Sequence, residues 1–153
     1  MTDNKLKHIY NVAKKMVEIG ELNNLTDEEL KELFVLGFLH DIGYEFTGNR
    51  KHNAVGGEML SSNYKYWQEV RYHGIFDSPY KSLYLDILNA ADLMIDKYGN
   101  DVGFDERLND IKGRYGEDST QYKNCTSIVN DLRTSKRITL PEENIKRRIY
   151  ENR

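Results

Sequence analysis

The sequence predicts an all-α protein, and three observations support this prediction. Apolar residues recur every three or four positions along most of the chain, which is the period of an amphipathic helix. Few segments alternate polar and apolar residues with the period of two that is typical of a half-buried strand. The 153 residues, 39% hydrophobic and 31% charged, fit one globular unit with its own core. We therefore predict a compact helical bundle that forms a single domain over residues 1–153.

The first helix is predicted over about residues 4–19. Its apolar residues step by three or four positions and so share one face, which is the pattern of a helix that packs against a core. These residues are Leu6, Ile9, Ala13 and Met16. Gly20 is predicted to end this helix, because glycine is common just past a helix C-terminus.

The second helix has a clear predicted start. Thr26 and Glu29 have the spacing of a capping box, in which each side chain binds the backbone N–H of the other residue. Leu25 and Leu30 stand where a hydrophobic staple places its two apolar residues. This helix is predicted to run towards Gly43, a plausible glycine for its C-terminal end.

Five further helical patterns follow before the C-terminal end of the chain. They cover about residues 52–60, 64–74, 80–98, 105–113 and 119–133. Pro141 precedes two glutamates and is predicted to be the first residue of a last helix. The chain shows no internal repeat, low-complexity tract or interdomain linker.

Composition excludes several classes of protein. No apolar run approaches the roughly 18–20 residues that span a bilayer, and the N-terminal residues lack the apolar stretch of a signal peptide. Cys125 is the only cysteine, so no internal disulfide forms and a cytoplasmic location is expected. The net charge of −3 argues against broad, sequence-independent binding of nucleic acid.

The chain contains four histidines, His8, His40, His52 and His73, and Asp41 directly follows His40. His8 lies near the apolar face of the first helix, where a lone histidine is more often a hydrogen-bonded core residue than a ligand. His40-Asp41 falls in the last turn of an apolar helix. A carboxylate there faces the negative end of the helix dipole, at a cost of a few tenths to about 1 kcal/mol that a nearby cation would offset. Exposure of Asp41 to water is the alternative.

Asp92 stands in the most apolar part of its predicted helix. Buried aspartates are rare unless they are paired or bound to metal, and the alternatives are an exposed carboxylate or an ion pair with Arg71 or Lys97. Imidazole and carboxylate ligands together suit Mn, Fe, Zn, Co or Ni. The sequence has no cysteine cluster, no Gly-x-Ser-x-Gly nucleophile motif and no phosphate-binding glycine loop.

The order of these residues resembles the HD-domain superfamily of metal-dependent phosphohydrolases. Leu39-His40-Asp41-Ile42-Gly43-Tyr44 is similar to the His-Asp-Ile-Gly variant of its motif, His8 precedes it, and Ala91-Asp92 is similar to its distal Ala-Asp. The resemblance covers about residues 5–98. It leaves residues 99–153 as C-terminal helices of unassigned role, which could form a homodimer interface or cap the core.

The resemblance implies a set of site residues. His8, His40, Asp41 and Asp92 would hold one divalent transition-metal ion, while His52 and His73 would hold a second that Asp41 shares. Asp41 and His40 are then the catalytic residues. Lys51 and Arg71, close in sequence to His52 and His73, are candidates for binding a substrate phosphate; the alternative is ordinary solvated surface charge.

The resemblance also implies a reaction. Metal-activated hydroxide would cleave a phosphomonoester or phosphodiester bond of a small, nucleotide-like substrate. Two alternatives stay open, namely an HD-fold di-iron oxygenase and a non-catalytic module that binds a nucleotide.

Overall fold

A computed structural model describes residues 2–45 and 52–141, and all the regular elements in these residues are helices. Its helices are α1 (Asp3–Leu22), α2 (Asp27–Leu39), α3 (His52–Leu60), α4 (Trp67–Tyr72), α5 (Leu83–Asp92), α6 (Gly103–Tyr115) and α7 (Thr120–Ser135). A short 3₁₀ helix, Ile42–Glu45, lies between α2 and α3. The described residues contain no strand, only an isolated antiparallel bridge between Ile95 and Asp101. The all-α prediction is confirmed.

The prediction that Gly20 ends α1 is wrong. The helix continues to Leu22, and Gly20 instead gives α2 room to pack closely. A Cβ atom at Gly20 would lie 2.7 Å from methyl groups of both Leu30 and Leu33. The chain leaves the helix at Asn23, the C-cap residue. Tertiary packing therefore explains this glycine.

The capping box that begins α2 is confirmed. The Thr26 side chain accepts a hydrogen bond from the backbone N–H of Glu29 at 3.2 Å, and the Glu29 carboxylate accepts one from the Thr26 N–H at 3.0 Å. The helix ends at Leu39, with His40 as its C-cap, and does not extend to Gly43. The 3₁₀ helix begins at Ile42, so Gly43 belongs to it.

Helices α1 and α2 cross with their backbones nearly in contact. A Cβ atom at Gly37 would lie 2.5 Å from the Cα atom of Ala13, so only glycine permits this approach. The crossing brings the His8 and His40 rings to a centroid separation of 5.5 Å.

Helix α5 lies at the centre of the core. Ile87, Leu88, Ala90 and Ala91 are fully buried, and α5 contacts α1, α2, α4 and α7. The helix is shorter than predicted. The prediction was too long because it rested on the apolar pattern, which continues past the last helical residue. Leu93, Met94 and Ile95 stay buried in the core although they are no longer helical. Asp92 therefore ends α5 and lies at the edge of the core.

The other predicted helices were placed correctly, with differences at their ends. The pattern over 64–74 contains α4, and those over 105–113 and 119–133 correspond to α6 and α7. Apart from Pro141 itself, the last predicted helix lies outside the described residues. Among those that are described, no helix is long and apolar enough to cross a membrane.

Candidate metal centre

Six side chains from five parts of the chain form one cluster, with the Asp41 carboxylate at its centre. His8 comes from α1, His40 and Asp41 from the end of α2, His52 from the start of α3, His73 from the residue after α4, and Asp92 from the last residue of α5. Their donor atoms form three overlapping groups, and within each group all atoms lie within 4.8 Å of one another. The structure thus brings together all six predicted ligands.

The two oxygens of Asp41 face different partners. Oδ2 lies 3.1 Å from His40 Nε2 and 3.5 Å from His8 Nε2. Oδ1 lies 3.1 Å from His52 Nε2 and 3.5 Å from His73 Nε2. Asp92 joins the first half, with its Oδ1 atom 3.0 Å from His8 Nε2 and 3.4 Å from His40 Nε2. The cluster therefore has two halves that share Asp41.

Backbone carbonyls orient three of the four imidazole rings. The Nδ1 atoms of His8, His40 and His73 lie 2.8, 2.6 and 2.7 Å from the carbonyl oxygens of Asp96, Gly37 and Val70. A carbonyl only accepts, so each Nδ1 carries the hydrogen, and the Nε2 atom of each neutral ring turns a lone pair towards the cluster. The buried Nε2 of His40 has no hydrogen-bond partner among the described residues.

The electrostatics of the cluster require positive charge. Burial lowers the pKa of His40, but the carboxylates of Asp41 and Asp92 outweigh this effect and raise that pKa to about 10. Burial also raises the pKa of Asp41 and Asp92, but the facing imidazoles, when protonated, hold both pKa values well below the usual range. Lone pairs and carboxylates that converge in this way are stable only with protons or cations between them.

The donor geometry fits divalent metal ions. Ligands about 2.0–2.2 Å from a tetrahedral or octahedral ion lie roughly 3.0–3.5 Å from one another. The separations of 3.0–3.5 Å between the imidazole nitrogens and carboxylate oxygens fall in that range. Nitrogen and oxygen ligands of this kind suit first-row transition metals. The chemistry and spacing of the cluster thus fit metal ions on either side of Asp41.

Lys5 is a site residue that the sequence analysis missed. Its Nζ atom donates to Asp41 Oδ2 at 2.6 Å, and it lies one turn before His8 on the same face of α1. The spacing of three residues from His8 was the available signal. The ammonium group lies beside the cluster, where it can contact an anion bound there.

Three asparagines fix the segment that carries His73. Asn53 donates to the His73 carbonyl at 3.2 Å, and Asn89 accepts from the Gly74 N–H at 2.8 Å. Asn124 of α7 donates to the Gly74 carbonyl and accepts from the backbone N–H of Phe76. Because α3, α5 and α7 all hold this segment, the C-terminal part of the chain helps to position the cluster.

A pocket of about 490 Å³ opens beside the cluster. His8, Asp41, His52, His73 and Asp92 line one side of it. Arg71 is not among the described residues that line it; its guanidinium lies over the Tyr72 ring, 5.0 Å from the ring centroid. Lys51, the other candidate for phosphate binding, lies outside the described residues.

Gly43 is expected to be essential for the position of His52. A Cβ atom at Gly43 would lie 1.7 Å from the carbonyl oxygen of His52, a severe clash with backbone. Gly43→Ala should therefore destabilise the protein by about 1–3 kcal/mol and shift His52 away from Asp41. Denaturant unfolding and metal analysis of the purified variant measure both effects.

The matched control is Gly113→Ala on α6. A Cβ atom there meets nothing within 4 Å, so removal of a helical glycine should stabilise the protein by about 0.5–1 kcal/mol. Equal unfolding midpoints for the two variants would contradict the close approach at Gly43.

The fold is all-α, and its histidine–aspartate cluster has the ligand types that could hold a metal ion. Residues 6–134 match the family model for the HD domain, so the chain belongs to the HD-domain family, which in general comprises metal-dependent hydrolases. The match extends beyond residue 98, the limit of the predicted resemblance, and includes α6 and nearly all of α7. Neither the curated proteins nor the solved structures compared with this chain include a match.

Proposed function

We propose that this protein is a metal-dependent phosphohydrolase that cleaves a phosphomonoester or phosphodiester bond of a small nucleotide-like substrate. The observation that carries the proposal is the division of the cluster into two halves around Asp41, each with its own pair of histidines. His8, His40, Asp41 and Asp92 would hold one divalent ion, and Asp41, His52 and His73 a second. Mn, Fe, Ni, Co and Zn are the candidate metals.

The proposed ligands give the pocket the charge that a phosphate requires. A pair of divalent ions lowers the pKa of water bound to it towards neutrality and withdraws charge from the oxygens of a phosphoryl group. Two such ions and two carboxylates leave a formal charge of +2, which attracts phosphate although the chain has a net charge of −3. Lys5 adds a further positive charge beside Asp41.

We assign the catalytic roles to Asp41 and His40, as residues that hold the reacting groups in place. Asp41 faces both halves of the cluster, so its two oxygens fix the distance between them. His40 is completely buried, and the Gly37 carbonyl fixes its ring. Lys5 is placed to donate a hydrogen bond to a phosphoryl oxygen. The pocket volume lies in the usual range for small-molecule sites, about 300–1,000 Å³.

Phosphate release from a panel of nucleotides tests the proposal. The protein is assayed with added Mn, Fe, Co, Ni or Zn, beside the double variant His40→Ala, Asp41→Ala. Release by the wild type but not by the variant is expected. Oxygen consumption by the iron-loaded protein without phosphate release would favour a di-iron oxygenase. Tight nucleotide binding without any turnover would favour a binding module. Either result would contradict the proposal.

A further inference from the structure

The wall of the pocket that faces the metal centre is positively charged. Among the described residues that line the pocket, the only carboxylates are Asp41 and Asp92, both of which belong to the cluster. Four cations outside the cluster line it as well, namely Lys5, Lys97, Arg107 and Arg114. In a chain with a net charge of −3, this local excess is a specific feature of the pocket.

Arg107 connects this wall to the metal centre. Its Nε atom donates to the backbone carbonyl of Asp92 at 3.4 Å, and its side chain is only 12% exposed. One of its terminal nitrogens, Nη1, is buried; it forms an ion pair with Asp110 at 3.7 Å but has no hydrogen-bond partner among the described residues. A buried guanidinium nitrogen without an acceptor is unfavourable, and an anionic ligand would supply one.

Arg107 and Arg114 lie on the same face of α6, because the seven positions between them make two helical turns. Asp110 holds both side chains, since its Oδ2 atom lies 3.7 Å from Arg107 Nη1 and 3.4 Å from Arg114 Nη2. Asp110 does not itself line the pocket. Each guanidinium has five N–H donors, so both retain donors for a ligand. The two arginines form a paired site, and paired arginines bind the several oxygens of a phosphate well.

We propose that Arg107 and Arg114 bind a second phosphate group of the substrate, so that the preferred substrates carry two or more linked phosphates. This inference rests on the proposed function, in which the scissile phosphate lies at the metal centre. Arg107 contacts the backbone of Asp92, a proposed metal ligand. A phosphate linked to the scissile one would therefore lie against α6. Ile111, between the two arginines, lines the same wall. A substrate with a single phosphate leaves this wall unused.

Inorganic pyrophosphate and orthophosphate are the probes that test the inference. Isothermal titration is run with metal-loaded wild type and Arg114→Ala, and the metal content is measured again afterwards because pyrophosphate also binds metals. Wild type should prefer pyrophosphate, and Arg114→Ala should weaken pyrophosphate binding by about tenfold or more while affecting orthophosphate less. Lys112→Ala, which removes the same charge from an exposed position of α6, should bind as wild type does.

Equal pyrophosphate affinity in wild type and Arg114→Ala would overturn the inference. A second readout is kcat/KM on nucleoside mono-, di- and triphosphates. Arg114→Ala should lose activity on the di- and triphosphates mainly through a higher KM, and an equal loss on all three would also contradict the inference. A wild type that hydrolyses none of them refutes the proposed function instead, and the titration with pyrophosphate then decides whether the arginines bind linked phosphates.

Discussion

Asp41→Asn is expected to abolish phosphate release and to remove metal from both halves of the centre. The change keeps the shape of the side chain but replaces a carboxylate that faces four imidazole nitrogens. Loss of a residue that only supports a ligand costs about 10–100-fold in metal affinity, so loss of the shared ligand should cost more than about a hundredfold in activity. Metal analysis by mass spectrometry and kcat/KM on the best substrate of the panel measure the two effects.

Asp27→Asn is the matched control, because it removes the same charge from an exposed position at the N-terminal end of α2, whereas Asp41 follows the C-terminal end of that helix. This control should keep the metal content and activity of the wild type. Asp41→Asn with both ions and normal activity would show that Asp41 is not a shared ligand. The unfolding midpoint of the metal-free variant shows whether it is folded, so that a loss of activity can be assigned to the site.

His8→Ala and His52→Ala are expected to remove different ions. His8 faces Oδ2 of Asp41 and Oδ1 of Asp92, whereas His52 faces Oδ1 of Asp41. Each change deletes a ligand of one half and leaves the other half intact. The metal content should therefore fall from about two ions to about one in each variant, and activity should fall more than about a hundredfold in each.

Metal analysis together with the absorption spectra of the cobalt-loaded proteins distinguishes the two ions, because the ligand set differs between the halves. Lys14→Ala on α1 and Glu58→Ala on α3 are exposed controls from the same helices and should resemble wild type. Retention of both ions by His52→Ala would contradict its assignment as a ligand. If the wild type holds only one ion, the metal centre consists of the half with His8, His40 and Asp92 alone.

Local sequence patterns predicted the helices, and the resemblance to the HD-domain superfamily implied the residues of the site. The capping box of Thr26 and Glu29 fixed the start of α2 because its hydrogen bonds join residues only three positions apart. Helix ends were harder to predict where burial and helicity differ. Leu93 and Met94 continue the apolar pattern of α5, yet the backbone leaves the helix at Asp92. An apolar pattern reports burial, and burial continues past the last helical turn.

A residue close in sequence to a predicted ligand did not always line the pocket. Arg71 lies only two positions before His73 but does not line the pocket. Arg107 and Arg114 line it although they lie 15 or more positions from any predicted ligand, whereas Lys5 lies three positions before His8. The helices α1 and α6 approach the cluster from different directions, and only the packing of the bundle brings their cations to the same pocket.

The sequence by itself determined the all-α fold, because the fold class depends on periodicity along the chain, and its resemblance to the HD-domain superfamily implied the six candidate ligands. The tertiary structure alone decided how the ligands divide. His8 and Asp92 are 84 positions apart and meet at 3.0 Å, and the two oxygens of Asp41 face separate pairs of histidines. The tertiary structure also decided that α6 forms the cationic wall. Distances of this kind depend on how the helices pack against one another, for which no local pattern in the chain provides a signal.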